Sequence, residues 1–304
     1  MSSRISEIKR NWPEYNESLV KRGELYLTFT FLDNWDNDLE KINRDKLGRK
    51  FESPPAFIQF LMMVHVIFNL PYRQIEGFLR KLSDIVPQIK AADYTTIWRR
   101  GTKLDIKLAD TLKESEEPVV IALDSSGIKV TNRGEWMREK WKIHRGWIKV
   151  NISVNVKTKE IVGIEVTDET VSDGSSFISL VDQSENNLPG RKIEKAIADG
   201  AFDRREIFDY LQHKHIQPVI KIRSNASIKA RGSPSRAKAV RELKDFGYLA
   251  WRQKYDYGKR WAAETVFSSV KRISGEHVSA TKTENMLHEA ELKFAFYNIL
   301  LNHR

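Results

Sequence analysis

The spacing of apolar residues changes once along this chain, close to Val119. Before that point, apolar residues recur every three or four positions, which is the period of an amphipathic helix. After it, short apolar runs and alternating segments are typical of β-strands. A chain of 304 residues is long enough for roughly two domains. We therefore divide it into a helical region, residues 1–115, and a mixed α/β domain, residues 116–304.

Three helices are predicted between residues 54 and 113. The most apolar segment runs from Phe57 to Leu70; a membrane span needs ~20 mostly apolar residues, so this segment is predicted to be buried in protein. Pro71 suits the first position of the next helix, because the N–H that proline lacks would be unpaired there. Asp93 suits the N-cap of a third helix, which is predicted to run from Tyr94 to Leu112.

Five strands are predicted after the change of period. The first and fourth are continuous apolar runs, as in strands that are covered on both faces, and the second and third form a hairpin. The segments are Val119–Asp124, Trp147–Lys157, Glu160–Asp168, Lys195–Gly200 and Pro218–Ile222. Their order with the intervening helices predicts a ribonuclease-H-like mixed sheet with flanking helices. The first strand should be central, with the fourth beside it.

Three acidic residues stand in positions that suit a shared site. Asp124 and Asp199 each end an apolar run that is predicted to be a strand, and Glu264 lies in the helical stretch Tyr257–Arg272. Carboxylates at the ends of buried strands face the edge of a sheet where ligands collect. If the three meet there, they form an all-oxygen site for Mg²⁺ or Mn²⁺. Two such ions about 4 Å apart form the phosphoryl-transfer site of nucleases and polymerases.

The positive charge of the chain is concentrated near its C-terminus. The net charge is +10, and residues 222–304 hold sixteen basic against eight acidic residues. This excess favours a nucleic-acid partner, the alternative being a solvated surface without one. We treat residues 222–255 as a basic insertion ahead of the Glu264 helix. The chain has no cysteine, which excludes disulfides and zinc–thiolate sites, and no segment reads as a signal peptide or membrane span.

The helical stretch around Glu264 is predicted to have two different faces. At about 100° per residue, one narrow stripe carries four polar or aromatic residues, and the opposite face is apolar and packs inward. The stripe consists of Tyr257, Arg260, Glu264 and Lys271. A carboxylate between two cations is most simply read as helix-surface ion pairing. The added tyrosine also suits a stripe that contacts a phosphate-rich substrate.

The stripe resembles the Tyr–Arg–Glu–Lys signature of DDE transposases from prokaryotic insertion sequences. The segments LDSSGIKV and IADGAFD are similar to that family's two aspartate motifs. In the N-terminal part, NWPEYNESLVKRG, PYRQIEGFLRKL and DYTTIWRR resemble the insertion-sequence-five group. The resemblance therefore covers essentially the whole chain.

The resemblance implies a DNA transposase that cleaves and strand-transfers the terminal inverted repeats of its own insertion sequence. Asp124, Asp199 and Glu264 would then be catalytic and would bind two Mg²⁺ ions, for which Mn²⁺ could substitute. Tyr257, Arg260 and Lys271 would lie along the DNA. The implied partners are double-stranded DNA, as inverted-repeat ends and as target, and a second copy of the chain in an active homodimer. The implied location is cytoplasmic, at the nucleoid.

The helices between Tyr72 and Lys103 resemble a helix-turn-helix, with an ordinary helical bundle as the alternative. In a helix-turn-helix, Arg99, Arg100 and Lys103 could contact a major groove and its phosphates. For the whole protein, two other functions stay open. One is a ribonuclease-H-like nuclease without strand transfer, and the other is a catalytically silent DNA-binding relative.

Two smaller interpretations concern residues near the predicted site. Asp203 follows Asp199 by four positions, and we interpret it as a cap of the next helix rather than as a metal ligand. Trp136, Trp141 and Trp147 alternate with basic residues. They could stack on bases, or at least one of them could pack in the core.

Overall fold

The computed structural model describes residues 11–130, 147–168, 173–229 and 232–303. Its strands are β1 Val119–Lys129, β2 Trp147–Asn155, β3 Ile161–Asp168, β4 Ile193–Ala198 and β5 Gln217–Ile220. They form a mixed sheet in the order β3-β2-β1-β4-β5, with β1 at the centre and β4 beside it. This confirms the ribonuclease-H-like mixed sheet that the sequence predicts.

Helices cover the sheet and build the N-terminal region. In the N-terminal part they are α1 Trp12–Leu25, α2 Trp35–Asn43, α3 Pro55–Phe68, α4 Tyr72–Ile85 and α5 Tyr94–Gly101. In the α/β part they are α6 Asp173–Asn187, α7 Arg205–His213, α8 Pro234–Lys254, α9 Trp261–Ser274 and α10 Thr283–Asn302. Short 3₁₀ turns are Thr30–Leu32, Leu108–Thr111, Gly200–Phe202 and Tyr257–Arg260.

Strand β1 is longer than predicted, and Asp124 lies within it rather than at its end. The pairing with parallel β4 stops at Ala122 opposite Ile197, whereas the antiparallel pairing with β2 continues to Lys129. The apolar run identified only the part of β1 that is covered on both faces. Asp124 therefore lies where β1 extends past the end of β4, on the open side of the sheet.

The two faces of the sheet are covered by different helices. Because side chains alternate along a strand, Ile121 and Leu123 point into the core formed with α6 and α7. Ala122 and Ile128 point to the other side, into the core formed with α9 and α10. Asp124 lies in phase with Ala122, so the strand's alternation turns its carboxylate toward α9.

The N-terminal helices pack around α3 and against the C-terminal helix α10. Helix α3 is mostly buried, as predicted, and its core includes Leu292 and Phe296 of α10. Among the described residues, every helix is too short or too polar to cross a bilayer. The N-terminal region and the α/β part therefore share one helix in their packing.

The third predicted N-terminal helix is shorter than expected. Asp93 caps α5 as predicted, accepting hydrogen bonds from the amides of Thr95 and Thr96. Helix α5 ends at Gly101, however, because the next amides bond three residues back: Leu104 N–H donates to the Gly101 carbonyl. Tight bonds of this kind close a helix end. The prediction that the helix continues to Leu112 is wrong.

Helix boundaries differ from prediction at two other places. Pro71 is the N-cap residue of α4 rather than its first helical residue. The basic segment before Glu264 contains the helix α8, which is kinked at Gly247, where φ is 72°. A positive φ suits glycine, and the kink divides α8 into two pieces. This glycine breaks the helical pattern, which explains why the sequence reading missed the helix.

Candidate active site

Asp124 contributes a half-buried carboxylate from the centre of the sheet. Its Oδ1 accepts a hydrogen bond from the Ser125 amide at 3.0 Å, and its Oδ2 lies 3.4 Å from Nη1 of Arg260. Burial raises the pKa of Asp124 to about 6, and the negative charges of Asp199 and Glu264 add to that rise. The Ser125 amide and Arg260 oppose it. The three predicted acidic residues therefore act on one another electrostatically.

Asp199 approaches the same place from the neighbouring strand. It directly follows β4 and caps the 3₁₀ turn Gly200–Phe202, its Oδ1 accepting from the Ala201 amide at 2.8 Å. Since Ala122 of β1 pairs with Ile197 of β4, Asp124 and Asp199 each stand two residues beyond that pair. The parallel ladder thus brings together two residues that are 75 positions apart in the sequence.

Glu264 reaches the site from helix α9, which packs on the same face of the sheet. It lies in the first turn of α9, and its apolar neighbours Ala263 and Val266 are buried against the sheet. Its side chain is 44% exposed, compared with 16% for Asp124. The carboxylate of Glu264 is thus more accessible to solvent than that of Asp124.

The guanidinium of Arg260 bridges the sheet and the helix. Nη2 donates to Oε1 of Glu264, one helical turn ahead, while Nη1 faces Asp124. Burial alone would lower the pKa of Arg260, but Asp124 and Glu264 outweigh it and raise the pKa. A permanent positive charge therefore stands between two of the three carboxylates.

The donor set suits a hard divalent cation. Carboxylate oxygens are the ligands that Mg²⁺ and Mn²⁺ favour. The pKa of Asp124 is raised mainly by burial and further by Asp199 and Glu264, and a bound cation would favour its ionised form. No three His, Asp or Glu side chains form a ready-made metal cluster within the described ranges. Here the guanidinium of Arg260 supplies the positive charge.

Comparison with known proteins places this arrangement in a family. A family model described as a transposase DDE domain matches residues 115–299, and a second with the same description matches residues 20–133. The chain belongs to the DDE transposase family. Its activity is therefore that of a DNA transposase. The first match spans more than half of the chain and includes all three acidic residues.

Solved structures of transposases show a distant likeness. The piggyBac transposase synaptic complex with hairpin DNA aligns at 11% identity over 94% of this chain and 74% of its own, with a TM-score of 0.41. The Drosophila P element transposase strand transfer complex aligns at 11% identity over 89% of this chain and 70% of its own, with a TM-score of 0.36. Family membership rests on the sequence match and not on these likenesses.

Tyr257 of this transposase is not presented on the stripe that the helical spacing predicts. Residues Tyr257–Arg260 form a 3₁₀ turn ahead of α9, so the α-helical angle does not apply to them. The ring is 6% exposed and packs on Trp251 of α8 at 5.0 Å between centroids. Burial raises the pKa of its hydroxyl to about 12. The expectation of an exposed Tyr257 is therefore wrong.

Lys271 does lie along the predicted stripe, two turns beyond Glu264. Its Nζ donates to Oγ of Ser126 at 2.8 Å, so it faces the same side of β1 as Asp124. Burial lowers the pKa of Lys271, and Lys129 adds to that shift. The site therefore has a second cation along the strand from Arg260.

Asp203 has a different role from the one predicted. Arg204, not Asp203, is the N-cap residue of α7. The buried Asp203 carboxylate instead accepts from Arg236 at 2.6 and 2.9 Å and from the Arg223 amide at 3.0 Å. This bidentate pair ties α8 to the loop that carries Asp199. Sequence reading missed it because Arg236 lies 33 positions away.

The candidate DNA contacts in α5 and just after it differ in their exposure to solvent. Arg99 and Lys103 are exposed. Arg100 is half-buried: it donates to the Ser53 carbonyl, and its guanidinium lies 4.7 Å from the Phe51 ring centroid. Burial lowers the pKa of Arg100. Arg100 is thus less available than Arg99 and Lys103, and its contact with DNA stays a prediction.

Of the three tryptophans that were predicted to stack on bases or pack in the core, the structure describes Trp147. Trp136 and Trp141 lie outside the described residues. Trp147 is half-buried and packs over Gly127, where an added Cβ would lie 2.8 Å from the indole ring. Lys129 Nζ lies 5.7 Å from its ring centroid. Trp147 therefore helps to shape the end of the β1–β2 ladder.

Proposed function

We propose that this transposase cleaves the ends of its own insertion sequence and joins them to target DNA at the site formed by Asp124, Asp199 and Glu264. The observation that carries the proposal is the convergence of three carboxylates from β1, the end of β4 and helix α9. We also propose that Tyr257, Arg260, Glu264 and Lys271 are the Tyr–Arg–Glu–Lys signature of the insertion-sequence-five group.

The carboxylates are proposed to hold two Mg²⁺ ions, with Mn²⁺ as a substitute. Bound there, the ions would supply Lewis acidity to the attacking and leaving oxygens of an in-line phosphoryl transfer. Asp124 and Asp199 are set by the backbone ladder of β1 and β4, so they fix the sheet side of the site. Glu264 closes it from the helix side.

The remaining signature residues are proposed to position DNA. Arg260 and Lys271 stand at two points along the same face as Asp124, where each could hold a backbone phosphate. Tyr257 is proposed to contribute through its shape, because its buried ring supports the turn that carries Arg260.

We propose that the partner is double-stranded DNA, both as inverted-repeat end and as target. The excess of eight basic residues in residues 222–304 supports this. Residues 1–115 are proposed as the DNA-binding region that precedes the catalytic domain, residues 116–304. Arg99 of α5 and Lys103, just after that helix, are its exposed candidate contacts. Two copies of the chain would each act on one end, and such an enzyme would work on the nucleoid in the cytoplasm.

The test is a strand-transfer assay with purified protein, Mg²⁺, DNA that spans the gene and its flanks, and a supercoiled target plasmid. Glu264→Gln is the matched variant. We expect discrete breaks at the edges of inverted repeats, with their 3′ ends joined to the plasmid, and neither product with the variant. Breaks without joining would instead indicate a nuclease, and binding without breaks a catalytically silent relative.

A further inference from the structure

The guanidinium of Arg260 lies between Asp124 and Glu264, two of the proposed metal ligands. Its Nη1 lies 3.4 Å from Oδ2 of Asp124, and its Nη2 donates to Oε1 of Glu264. The other oxygen of Asp124 accepts from the Ser125 amide. One guanidinium therefore contacts one carboxylate oxygen of Asp124 and one of Glu264, two of the three proposed metal ligands.

We propose that Arg260 blocks metal loading in the free transposase, and that a DNA phosphate releases the block by taking the guanidinium from the carboxylates. This inference rests on the proposed function, because it assumes that the carboxylates bind the metal. It goes beyond that function by making metal binding depend on DNA. Arg260 acts here as a positioning residue with two alternative partners.

The block follows from charge and space. Two cations that share the same carboxylate oxygens repel each other at contact distance, and the repulsion is strong where water is partly excluded. The side chains of Arg260 and Asp124 are only 20% and 16% exposed. A divalent ion can therefore bind these two oxygens only after Arg260 has moved away.

The release follows from the geometry of the guanidinium. Arginine binds phosphate through two parallel N–H donors, so a DNA phosphate offers it a bidentate partner in place of the two carboxylates. Glu264 is 44% exposed, so the helix side of the bridge opens to solvent and to an approaching strand. The exchange keeps every charge paired: phosphate with Arg260, and carboxylates with metal.

The exchange couples the two ligands in both directions. If DNA tightens metal binding by some factor, metal must tighten DNA binding by the same factor. A free transposase would then carry little metal, and its carboxylates would be loaded mainly on DNA. Cleavage would accordingly be confined to DNA that reaches Arg260.

The neighbouring Lys259 provides a matched control. It is also a cation on the same turn, but its side chain is 51% exposed. Its Nζ pairs with Asp256 at 2.9 Å and not with Asp124 or Glu264. Lys259→Gln removes the same unit of charge as Arg260→Gln, one residue away. A difference between the two variants therefore reports the contact and not the net charge.

The experiment is a calorimetric titration of Mn²⁺ into metal-free wild type, Arg260→Gln, Lys259→Gln and Asp124→Asn, each checked for folding by its thermal melt. Without DNA, we expect Arg260→Gln to bind Mn²⁺ about tenfold more tightly than wild type, a factor within the usual range of coupling between sites. Lys259→Gln should bind like wild type, and Asp124→Asn should lose the binding.

The titration is then repeated with a 30-base-pair duplex of arbitrary sequence, since phosphate contacts do not depend on sequence. We expect the duplex to raise the Mn²⁺ affinity of wild type more than that of Arg260→Gln. An equal change in both proteins would overturn the exchange, as would an Arg260→Gln variant that binds Mn²⁺ no more tightly than Lys259→Gln. If Asp124→Asn binds Mn²⁺ like wild type, the proposed metal site fails as well.

Discussion

The sheet side and the helix side of this site hold their charged groups in different ways. Asp124 and Asp199 are placed by a ladder of backbone hydrogen bonds between β1 and β4. Glu264 and Arg260 stand on α9 and the turn before it, and they are linked to Asp124 on the sheet through the side chain of Arg260. On the proposed function, the strand ladder fixes the positions of two carboxylates, whereas the groups on the helix side are held only by side chains that can change partners.

The largest effect is expected where a side-chain pair supports the sheet side. Arg236→Ala removes the partner of the buried Asp203 carboxylate and should lower the free energy of unfolding by about 3–5 kcal/mol, because it leaves a buried charge unpaired. Urea denaturation measures the loss. Lys238→Ala, at an exposed position of the same helix, should cost less than about 0.5 kcal/mol; equal losses would show that the pair does not anchor the loop.

The next effect concerns how much the buried, ionised carboxylate of Asp124 destabilises the folded protein. The pKa of Asp124 rises from 3.8 to about 6 on folding, so the folded protein binds this proton more tightly than the unfolded chain. The stability that this protonated carboxyl gives the folded state is complete below pH 3.8 and is lost as the pH rises through about 6. Asp124→Asn cannot ionise, so the metal-free variant should gain up to about 3 kcal/mol over wild type at pH 8.

The measurement is a pair of urea titrations in EDTA at pH 8 and pH 5. The advantage of Asp124→Asn should shrink toward pH 5, where the wild-type carboxyl takes up its proton. A stability difference between the two proteins that stays constant with pH would mean that the burial of Asp124 carries no such cost.

A smaller effect is expected from the second cation on the helix side. Lys271→Ala removes one proposed phosphate contact near Ser126, so DNA binding should weaken by roughly tenfold and the salt slope of binding should fall by about one. Fluorescence anisotropy at several salt concentrations gives both quantities. An unchanged slope would exclude a phosphate contact, and Arg272→Ala, at an exposed neighbouring position, is the control.

The smallest effects are expected on α5, where one of two adjacent arginines is exposed and the other packs within the helical region. Arg99→Ala should weaken DNA binding a few-fold without changing stability, because Arg99 is exposed. Arg100→Ala should instead cost about 1 kcal/mol of stability, through its lost contacts with Ser53 and Phe51. Anisotropy and urea denaturation separate them; the reverse pattern would show that Arg100 turns outward to DNA.

The parts of the site that follow the backbone could be predicted from sequence. Apolar runs located β1 and β4, and the order of elements placed them side by side, which brings Asp124 and Asp199 together. The apolar residues of α9 likewise predicted which face of the helix packs inward and that Glu264 lies on the other face, because helical spacing fixes both. In each case a local pattern sets the position.

The parts that depend on distant side chains could not be predicted in this way. The burial of Tyr257 depends on Trp251, which belongs to a helix that the pattern did not reveal. The Asp203–Arg236 pair and the bridge from Arg260 to Asp124 join residues 33 and 136 positions apart. The periodicity of a single segment does not predict contacts of this kind, because they depend on how α8 and α9 pack in the folded protein.

The central claim is that carboxylates from the sheet and from the helix act as one site. The most direct measurement is the rate of strand cleavage at a mapped element end in Mg²⁺, for wild type, Asp124→Asn, Glu264→Gln and the double variant, at equal DNA occupancy. We predict that each single variant loses at least about 10³-fold and that the double variant loses no more, because groups that act as a unit are not additive. A single variant that cleaves at nearly the wild-type rate, or losses that multiply in the double variant, would contradict the account.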